Sequence, residues 1–207
     1  ELEEIVPCLS CGQRCQGHAN RKKLPAGDVT CVSCMLNPFS NGRLKRIPAR
    51  QKKKVVVVGG GPAGLEAAWV AASRGHEVVL FERNSEDELG GQLRIASYPP
   101  FKHDLIRGLK YLLYMCRKYG VRIRCGTDAT EALIRKERPD AVIIGTGAVP
   151  YIPHIPGLES AGILLANDVL TGKAAASGRT LIIGGGLVGA ETGEYCLDYC
   201  SEVVIVE

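Results

Sequence analysis

The stretch VVVVGGGPAGLEAAWVAASRGHEVVLFE, residues 55–82, decides the fold. Four valines lead into Gly-x-Gly-x-x-Gly, then come small residues suited to a helix, then a second apolar run that ends on an acid. A glycine triplet alone is a weak signal, but the order strand, turn, helix, strand is the one that dinucleotide binding requires. We therefore expect an α/β, Rossmann-like fold.

Each glycine of this stretch has its own expected task. Gly59 permits a tight turn, Gly61 lets backbone amides approach a pyrophosphate, and Gly64 lets the helix pack close to the strand. Pro62 and Ala63 suit the first helical turn. The helix N-terminus, with its unpaired N–H groups, would attract the negative charge of the pyrophosphate.

The same pattern recurs without a gap at residues 180–207, TLIIGGGLVGAETGEYCLDYCSEVVIVE. The residues of the second copy that match the first are Gly184, Gly186, Gly189 and Glu207. The acid of each copy, Glu82 in the first, is placed to accept hydrogen bonds from a ribose diol. A carboxylate there repels a 2′-phosphate and favours NAD over NADP, although an Arg after residue 207 would reverse this preference. A glycine turn that binds nothing is the competing interpretation, and two copies in register count against it.

The segment between the copies completes the first unit. Residues 105–120 have helical spacing of apolar side chains, VRIRCGT from residue 121 alternates as a strand does, and Ala141–Ile144 predicts a third parallel strand. Prolines in PYIPHIPG predict an interdomain linker. The second copy ends before its own third strand, so we expect the chain to be a fragment. The expected division is a cysteine-rich segment over 1–42, a basic linker over 43–54, a first nucleotide-binding domain over 55–149, and a linker with the truncated start of a second over 150–207.

Composition excludes some classes of function. A chain of 207 residues with 45% hydrophobic and 23% charged residues is typical of a globular protein. No secretory signal or membrane-spanning run is visible, so we expect a cytoplasmic protein without a membrane partner. Residues 43–54 carry seven Lys or Arg and could grip nucleic acid. A solvated linker is favoured because the run lacks interleaved aromatics.

Five of the nine cysteines cluster near the start of the chain. Cys8, Cys11 and Cys15 have the spacing of three thiolates presented by one short loop to an iron–sulfur cluster, and Cys31 or Cys34 offers a fourth ligand. Cys8-x2-Cys11 followed by Cys31-x2-Cys34 is also the spacing of a zinc ribbon. The ribbon would leave Cys15 as a spare thiol, and nucleotide fingerprints next to the cluster favour a 4Fe-4S site.

The remaining cysteines suggest no catalytic pair. Residues 83–179 contain neither Cys-x2-Cys nor Cys-x4-Cys, which argues against a disulfide reductase. Cys196 and Cys200, four residues apart on the helix of the second copy, could meet, but packing is the favoured role. Cys116 and Cys125 read as small buried apolar residues. The histidines are scattered, so we expect no catalytic acid, base or nucleophile.

Taken together, these motifs resemble the C-terminal part of the old yellow enzyme-related NADH:flavin oxidoreductases, the group of 2,4-dienoyl-CoA reductase, enoate reductase and trimethylamine dehydrogenase. The features that carry the resemblance, in chain order, are Cys8-x2-Cys11-x3-Cys15, CMLNP at 34–38, VVVVGGGPAGLEAA, ELGGQL, GTGAVP and IIGGGLVGAE. The family pattern of a cysteine followed after two residues by Asn-Pro selects Cys34 as the fourth ligand. The segment before it is longer than the family usually has, which keeps Cys31 open.

The resemblance implies FAD in the first nucleotide domain and NAD(P)H, or a bound adenine nucleotide, in the second. The FAD residues it implies are Gly59, Gly61, Pro62, Ala63 and Gly64 at the pyrophosphate, Glu82 at the adenosine ribose, Arg83 and the backbone of Ala129 by the adenine, Gly90, Gly91 and Gln92 near the inner flavin half, and Thr146 and Gly147 over the pyrophosphate side. The second-domain residues are Gly184, Gly186, Gly189 and Glu207, and the 4Fe-4S ligands are Cys8, Cys11, Cys15 and Cys34.

The function implied is the electron-transfer part of a flavin-dependent oxidoreductase. Electrons would pass from NAD(P)H by way of FAD and the 4Fe-4S cluster to FMN in a TIM barrel, absent here, that reduces a C=C bond or oxidises an amine. The chain alone is expected to be inactive and to hold FAD weakly. The alternative is a non-catalytic zinc ribbon joined to an adenine-nucleotide module. Expected partners are dinucleotides, the barrel and, as an open alternative, a second copy of the chain.

Overall fold

A computed structural model describes most of the chain. The described residues are 2–15, 33–40, 42, 44–158 and 162–207. The expectation that concerned Cys31 falls outside them. In chain order the elements are β1 Lys54–Val58, α1 Pro62–Ser73, β2 Glu77–Phe81, α2 Gly91–Ile95, α3 Leu105–Lys118, β3 Arg122–Arg124, α4 Glu131–Lys136, β4 Ala141–Ile144, α5 Ala166–Leu170, β5 Gly178–Ile183, α6 Leu187–Cys196 and β6 Cys200–Val206.

The first unit is a parallel sheet in the order β3-β2-β1-β4. Val56 of β1 lies beside Val79 of β2 on one side and Val142 of β4 on the other. The α/β fold is thus confirmed, and Ala141–Ile144 forms the parallel strand that its apolar sequence predicts. Because the strands are parallel, their carboxyl ends share one edge, where ligands bind in open α/β sheets.

Alternating side chains of the central strands build two cores. Val57 and Leu80 point to the face covered by α1 and α3, where Leu65 and Leu109 are buried. Val56, Val79 and Phe81 form the smaller core on the opposite face, and Ala129, Leu133 and Ile134 pack against them. Each buried valine or leucine contributes roughly 1.5–3 kcal/mol of transfer free energy, so the two central strands hold the unit together.

Strand β4 is the edge of the sheet among the described strands, and its side chains are uncovered. Val142 is 42% exposed and Ile144 is 76% exposed. An edge strand of this kind has unpaired backbone groups and exposed apolar side chains, which a further strand or a partner would bury.

The second unit repeats the start of the first. Strands β5 and β6 pair in parallel on either side of α6 in sequence, with Ile182 beside Ile205. One expectation for this unit is wrong: Cys200 is not on the helix with Cys196. Helix α6 ends at Cys196, and Cys200 is the first residue of β6, where it pairs with Gly178 of β5.

The N-terminal segment docks along α3. Glu4 forms an ion pair with Lys118 near the end of this helix, with 2.5 Å between Oε1 and Nζ. The Ser10 hydroxyl donates a hydrogen bond of 3.0 Å to Asp104, which precedes the helix. Between these contacts, a methyl group added at Gly108 would lie 3.0 Å from the Leu9 side chain, so the missing side chain at Gly108 creates the seat for Leu9.

An aromatic cluster joins the residues after Cys34 to α1. Trp69 of α1 is 2% exposed, and its ring meets Phe39 edge-on at 6.3 Å and stacks on Tyr119 at 6.2 Å. The Arg46 guanidinium lies 5.6 Å from the Trp69 ring and completes the cluster by a cation–π contact. Glu66 accepts the Trp69 indole N–H at 2.6 Å, while burial raises the pKa of its carboxyl.

Two ion pairs connect the two nucleotide units. The Lys102 ammonium, ahead of α3, pairs with Glu191 of α6. Lys173, in the segment before β5, pairs at 2.6 Å with Glu88 in the loop after β2 and lowers the pKa of that carboxyl. No helix among the described residues combines the length and apolar character that crossing a bilayer needs.

We expect Trp69→Ala to lower the free energy of unfolding by about 3–5 kcal/mol, because it empties a buried aromatic site. Urea unfolding followed by circular dichroism measures the loss. Tyr151→Ala is the matched control: Tyr151 is 86% exposed, and its removal should change stability by less than about 0.5 kcal/mol. Equal effects of the two substitutions would contradict the assignment of Trp69 to the core.

Burial raises the pKa of the Cys116 thiol to about 12, and its Sγ donates to the Leu65 carbonyl oxygen at 3.4 Å. The fold therefore favours the neutral thiol, and this stabilisation is present below the unfolded pKa near 9 and lost as pH rises toward 12. At pH 8 we expect Cys116 to react with iodoacetamide about a thousandfold more slowly in the folded protein than in urea. Peptide mapping by mass spectrometry gives the two rates, and equal rates would contradict burial of this thiol.

Candidate functional site

The first glycine turn forms a cradle at the carboxyl end of β1. A methyl group added at Gly64 would lie 1.9 Å from the Gly59 carbonyl oxygen, so α1 sits closer to the strand end than any other residue would allow. Gly59 has φ +103° and lies against the Gly145 carbonyl after β4. At Gly61, by contrast, an added methyl group would have no atom of another described residue within 4 Å, apart from its chain neighbours. The cradle is thus closed behind Gly59 and Gly64 and open above Gly61.

The open side of the cradle is electrostatically suited to an anion. Helix α1 begins at Pro62 directly after Gly61, and its first turn contains no acidic side chain. The backbone amides of a first helical turn have no partner within the helix and carry a partial positive charge. A diphosphate above Gly61 would accept hydrogen bonds from them.

Glu82 is fixed by backbone amides at the end of β2. The Gly60 N–H donates to its Oε2 at 2.6 Å, and the Asn84 N–H donates to its Oε1 at 2.9 Å. A carboxylate has about four acceptor positions, so two remain for the hydroxyls of a ribose. Glu82 is therefore both a structural link between β2 and the cradle and a candidate ligand.

Gly90 and Gly91 pack directly on the cradle. The Gly90 N–H donates to the Gly60 carbonyl oxygen at 2.9 Å, and a methyl group at Gly91 would lie 3.2 Å from the Gly61 Cα. Leu89 is buried beneath Gly60. The second glycine pair of the sequence thus lies against the first glycine turn.

The other residues expected at FAD lie on loops of the same edge. Thr146 and Gly147 follow β4 and are exposed, next to the Gly145 contact with the cradle. Ala129 follows β3 and is half-buried against the smaller core, while Arg83 and Gln92 are exposed. The structure places all five at the carboxyl edge of the sheet and does not show their side chains converging on one point.

The second glycine turn repeats this geometry. A methyl group at Gly189 would lie 1.8 Å from the Gly184 carbonyl oxygen, whereas one at Gly186 would meet nothing within 4 Å. The Gly185 N–H donates to Oε2 of Glu207, as the corresponding amide does to Glu82 in the first copy. The first turn of α6 is also free of acidic side chains. The second turn therefore repeats the close helix approach and the open side of the first, but no described residue closes it behind Gly184 as Gly145 does behind Gly59.

The described cysteines of the N-terminal segment, Cys8, Cys11, Cys15 and Cys34, are not gathered around one point. The Ser10 N–H donates to Cys8 Sγ at 3.4 Å, and positive φ angles at Ser10 (56°) and Gly12 (60°) curve the loop that carries Cys8 and Cys11. Cys34 is half-buried and follows Ser33, whose buried Oγ has no hydrogen-bond partner among the described residues. No three of the described His, Cys, Asp or Glu side chains are arranged to hold a metal ion.

Shared packing nevertheless holds the two cysteine loops at the same place. Leu9 and Leu36 both pack on Gly108, at 3.0 and 3.4 Å from the position of an added methyl group. Leu9 follows Cys8, and Leu36 comes two residues after Cys34. The donor set has the chemistry of a thiolate-ligated cluster, and its present arrangement does not by itself form the ligand shell.

Sequence reasoning missed several residues that build the site. Gly60 joins Glu82 to Gly90 through its N–H and carbonyl, and the signal for it was the unbroken run of three glycines in both copies. Asn84 contributes only a backbone amide, and Gly108 acts through the absence of a side chain, so neither leaves a recognisable pattern.

Comparison with known proteins identifies the family. Residues 53–207 match the family model described as pyridine nucleotide-disulphide oxidoreductase. Bilirubin reductase of Mediterraneibacter gnavus is 43% identical over 100% of this chain and 31% of its own length. Cinnamate reductase of Clostridium sporogenes is 38% identical over 100% of this chain and 30% of its own length. The chain thus spans about three tenths of the length of the curated relatives that it matches.

A solved structure gives the same result for the fold. The 2-naphthoyl-CoA reductase complex with 2-naphthoyl-CoA superposes with a TM-score of 0.87 and 32% identity, covering 98% of this chain and 30% of that one. The resemblance inferred from the motifs is confirmed, and dinucleotide binding is a property of the matched fold. The chain therefore belongs to the pyridine nucleotide-disulphide oxidoreductase family and, within it, to the group of NADH:flavin oxidoreductases that its motifs predicted.

Proposed function

We propose that the chain is the electron-transfer part of a flavin-dependent oxidoreductase, passing electrons from NAD(P)H by way of FAD and a 4Fe-4S cluster to FMN in a further domain of TIM-barrel type. The observation that carries the proposal is the pair of glycine cradles. In each, the helix packs against the strand end at the third glycine, Gly64 or Gly189, and the space next to the second glycine, Gly61 or Gly186, is open. When bound, these cofactors supply hydride and one-electron chemistry, and the protein supplies position and electrostatics.

The first cradle is assigned to FAD and the second to NAD(P)H. Only the first has a second glycine pair, Gly90–Gly91, packed against it and a complete set of strand ends around it. The amides after Gly61 would bind the FAD diphosphate, and Glu82 would accept the ribose hydroxyls. In the second cradle Glu207 disfavours a 2′-phosphate, which supports NAD as the dinucleotide.

The cysteine segment is assigned to the 4Fe-4S cluster, with Cys8, Cys11, Cys15 and Cys34 as ligands. An N–H donor to Cys8 Sγ stabilises negative charge on sulfur, and such donors tune the potential of iron–sulfur sites. The common seat of Leu9 and Leu36 on Gly108 supports a single site built from both loops.

The aromatic cluster has a role in this arrangement. Phe39, five residues after Cys34, is held on Trp69, and Trp69 belongs to the helix whose N-terminus forms the FAD cradle. In this proposal, α1 and the buried ring of Trp69 would set the distance between the 4Fe-4S cluster and the flavin. The proposed domains are a 4Fe-4S segment over 1–42, a linker over 43–54, the FAD domain over 55–149 and the start of the NAD(P)H domain from 150.

The substrate chemistry belongs to the rest of the protein in this proposal. The two curated relatives described above and the solved structure are named as reductases, and each is more than three times longer than the matched region. The proposed reaction is reduction of an activated C=C bond, with amine oxidation as the second chemistry, at the FMN of the barrel. A zinc ribbon joined to an adenine-nucleotide module is the rival, and metal content separates the two.

In the complete encoded protein, we expect Gly61→Ala to weaken FAD binding about a hundredfold, equivalent to roughly 2.8 kcal/mol, without loss of folding. Gly61 has φ −75°, which alanine adopts freely, and the added methyl group would occupy the space reserved for the diphosphate. Fluorescence titration of the FAD-depleted protein measures the change. Gly186→Ala is the matched variant, and it should weaken NADH binding while leaving FAD bound.

A separate control distinguishes this steric effect from damage to the fold. Gly64→Ala places a methyl group against the Gly59 carbonyl and should lower the melting temperature by several degrees. If Gly61→Ala bound FAD as tightly as the natural protein, the first cradle would not be the FAD site.

For the cysteine segment, we expect anaerobically purified protein to contain about four iron atoms and about four acid-labile sulfides per chain. Cys34→Ala should remove most of both, whereas Cys31→Ala should retain them. Elemental analysis and electron paramagnetic resonance of the reduced protein provide the measurements. One zinc without sulfide would establish the zinc ribbon, and equal losses in the two variants would contradict Cys34 as the fourth ligand.

A further inference from the structure

Cys196 and Cys200 lie together in the second unit, at the end opposite to its cradle. Cys196 is the last residue of α6 and Cys200 is the first residue of β6, where it pairs with Gly178 at the start of β5. The Tyr199 N–H donates to the Cys196 carbonyl oxygen at 3.0 Å and closes the turn between them. The glycines of the second cradle follow the other end of β5, so this cysteine pair is separate from the dinucleotide site.

The two thiols have unequal access to solvent. Cys196 is 2% exposed, whereas Cys200 is half-buried and its Sγ lies 3.2 Å from Thr180 Oγ1. Burial raises the pKa of the Cys196 thiol, and the neighbouring Cys200, through its charge and a hydrogen bond between the two side chains, raises it further. A small oxidant can therefore reach Cys200, and Cys196 lies on the other side of the same closed three-residue turn.

We propose that Cys196 and Cys200 form a reversible disulfide when hydrogen peroxide oxidises Cys200. The Cys200 thiolate attacks one peroxide oxygen, giving a sulfenic acid and releasing hydroxide, which becomes water with the thiol proton. The Cys196 sulfur then attacks the sulfenic sulfur, an S–S bond forms, and the hydroxyl leaves as a second water with the Cys196 proton. Two thiols are oxidised, one peroxide is reduced to two waters, and a dithiol reductant reverses the change.

The contrast with Cys116 supports the assignment. Cys116 is as buried as Cys196, but its sulfur is hydrogen-bonded to the Leu65 carbonyl oxygen of α1. It has no half-buried thiol beside it that could be attacked first, as judged from its described contacts. Burial of a thiol alone gives an inert residue, whereas a buried thiol next to an accessible one in the same turn can resolve a sulfenic acid.

Formation of this disulfide would tie the end of α6 to the start of β6. The intervening turn, residues 197–199, would then be closed covalently as well as by its hydrogen bond. Since the cradle lies at the other end of these elements, the oxidised protein should still bind a dinucleotide. The pair is therefore a modification site and not a part of the redox path through the cofactors.

The sequence allows a clean test in the complete encoded protein. Residues 180–207 contain no Lys or Arg, so trypsin leaves both cysteines in one peptide, away from Cys116 and the N-terminal cysteines. After peroxide treatment and alkylation, we expect this peptide to be about two mass units lighter than its reduced form and to carry no alkyl group at either cysteine. Dithiothreitol should restore both thiols.

Two variants assign the roles. Cys200→Ser should leave Cys196 reduced and free to be alkylated after unfolding, whereas Cys196→Ala should trap Cys200 as a sulfenic or sulfinic acid. The Cys116 peptide is the internal control and should stay reduced throughout. The proposal is overturned if the natural protein keeps both cysteines alkylatable after peroxide, or if Cys200 gains oxygen while Cys196 remains a thiol.

Discussion

The carboxyl edge of the sheet depends on one close contact, the approach of α1 to the Gly59 carbonyl at Gly64. Without a Cβ at Gly64 the helix N-terminus descends onto the end of β1, and its free amides point past Gly61 into open space. Gly145 closes the cradle from β4, and Gly60 holds Glu82 beside it. A larger residue at the third glycine would move the helix away, and the dipole that attracts a diphosphate would move with it.

The buried ring of Trp69 links helix α1 to the cysteine segment. Helix α1 forms the first cradle at its N-terminus and contacts the aromatic cluster along its side, so the segment that carries Cys34 is positioned by the same element as the proposed flavin site. The other cysteine loop is positioned independently, by Leu9 on Gly108 of α3. Both helices pack into one core, so the two loops share a frame although they are far apart in sequence.

Much of the fold could be read from local pattern, because valine runs, small-residue helices and glycine turns act within a few residues of themselves. All six strands and both glycine turns follow from such signals. Contacts that depend on long-range packing could not be predicted in this way. Phe39 packs on Trp69, and Leu9 and Leu36 pack on Gly108, but no periodic pattern in the sequence marks these residues as partners. The prediction that Cys200 lies on the helix was wrong because it considered only the four-residue spacing from Cys196. Strand β6 already begins at Cys200, which pairs with β5 there.

The two nucleotide units touch through charges at the rim. Lys102 meets Glu191 and Lys173 meets Glu88, and all four side chains are at least partly open to water. Partners of this kind are weakened by dissolved ions, because screening acts within about 8–10 Å at physiological ionic strength. Raising the ionic strength should therefore weaken both links between the two units, and a polyanion that competes for Lys102 or Lys173 should weaken them as well.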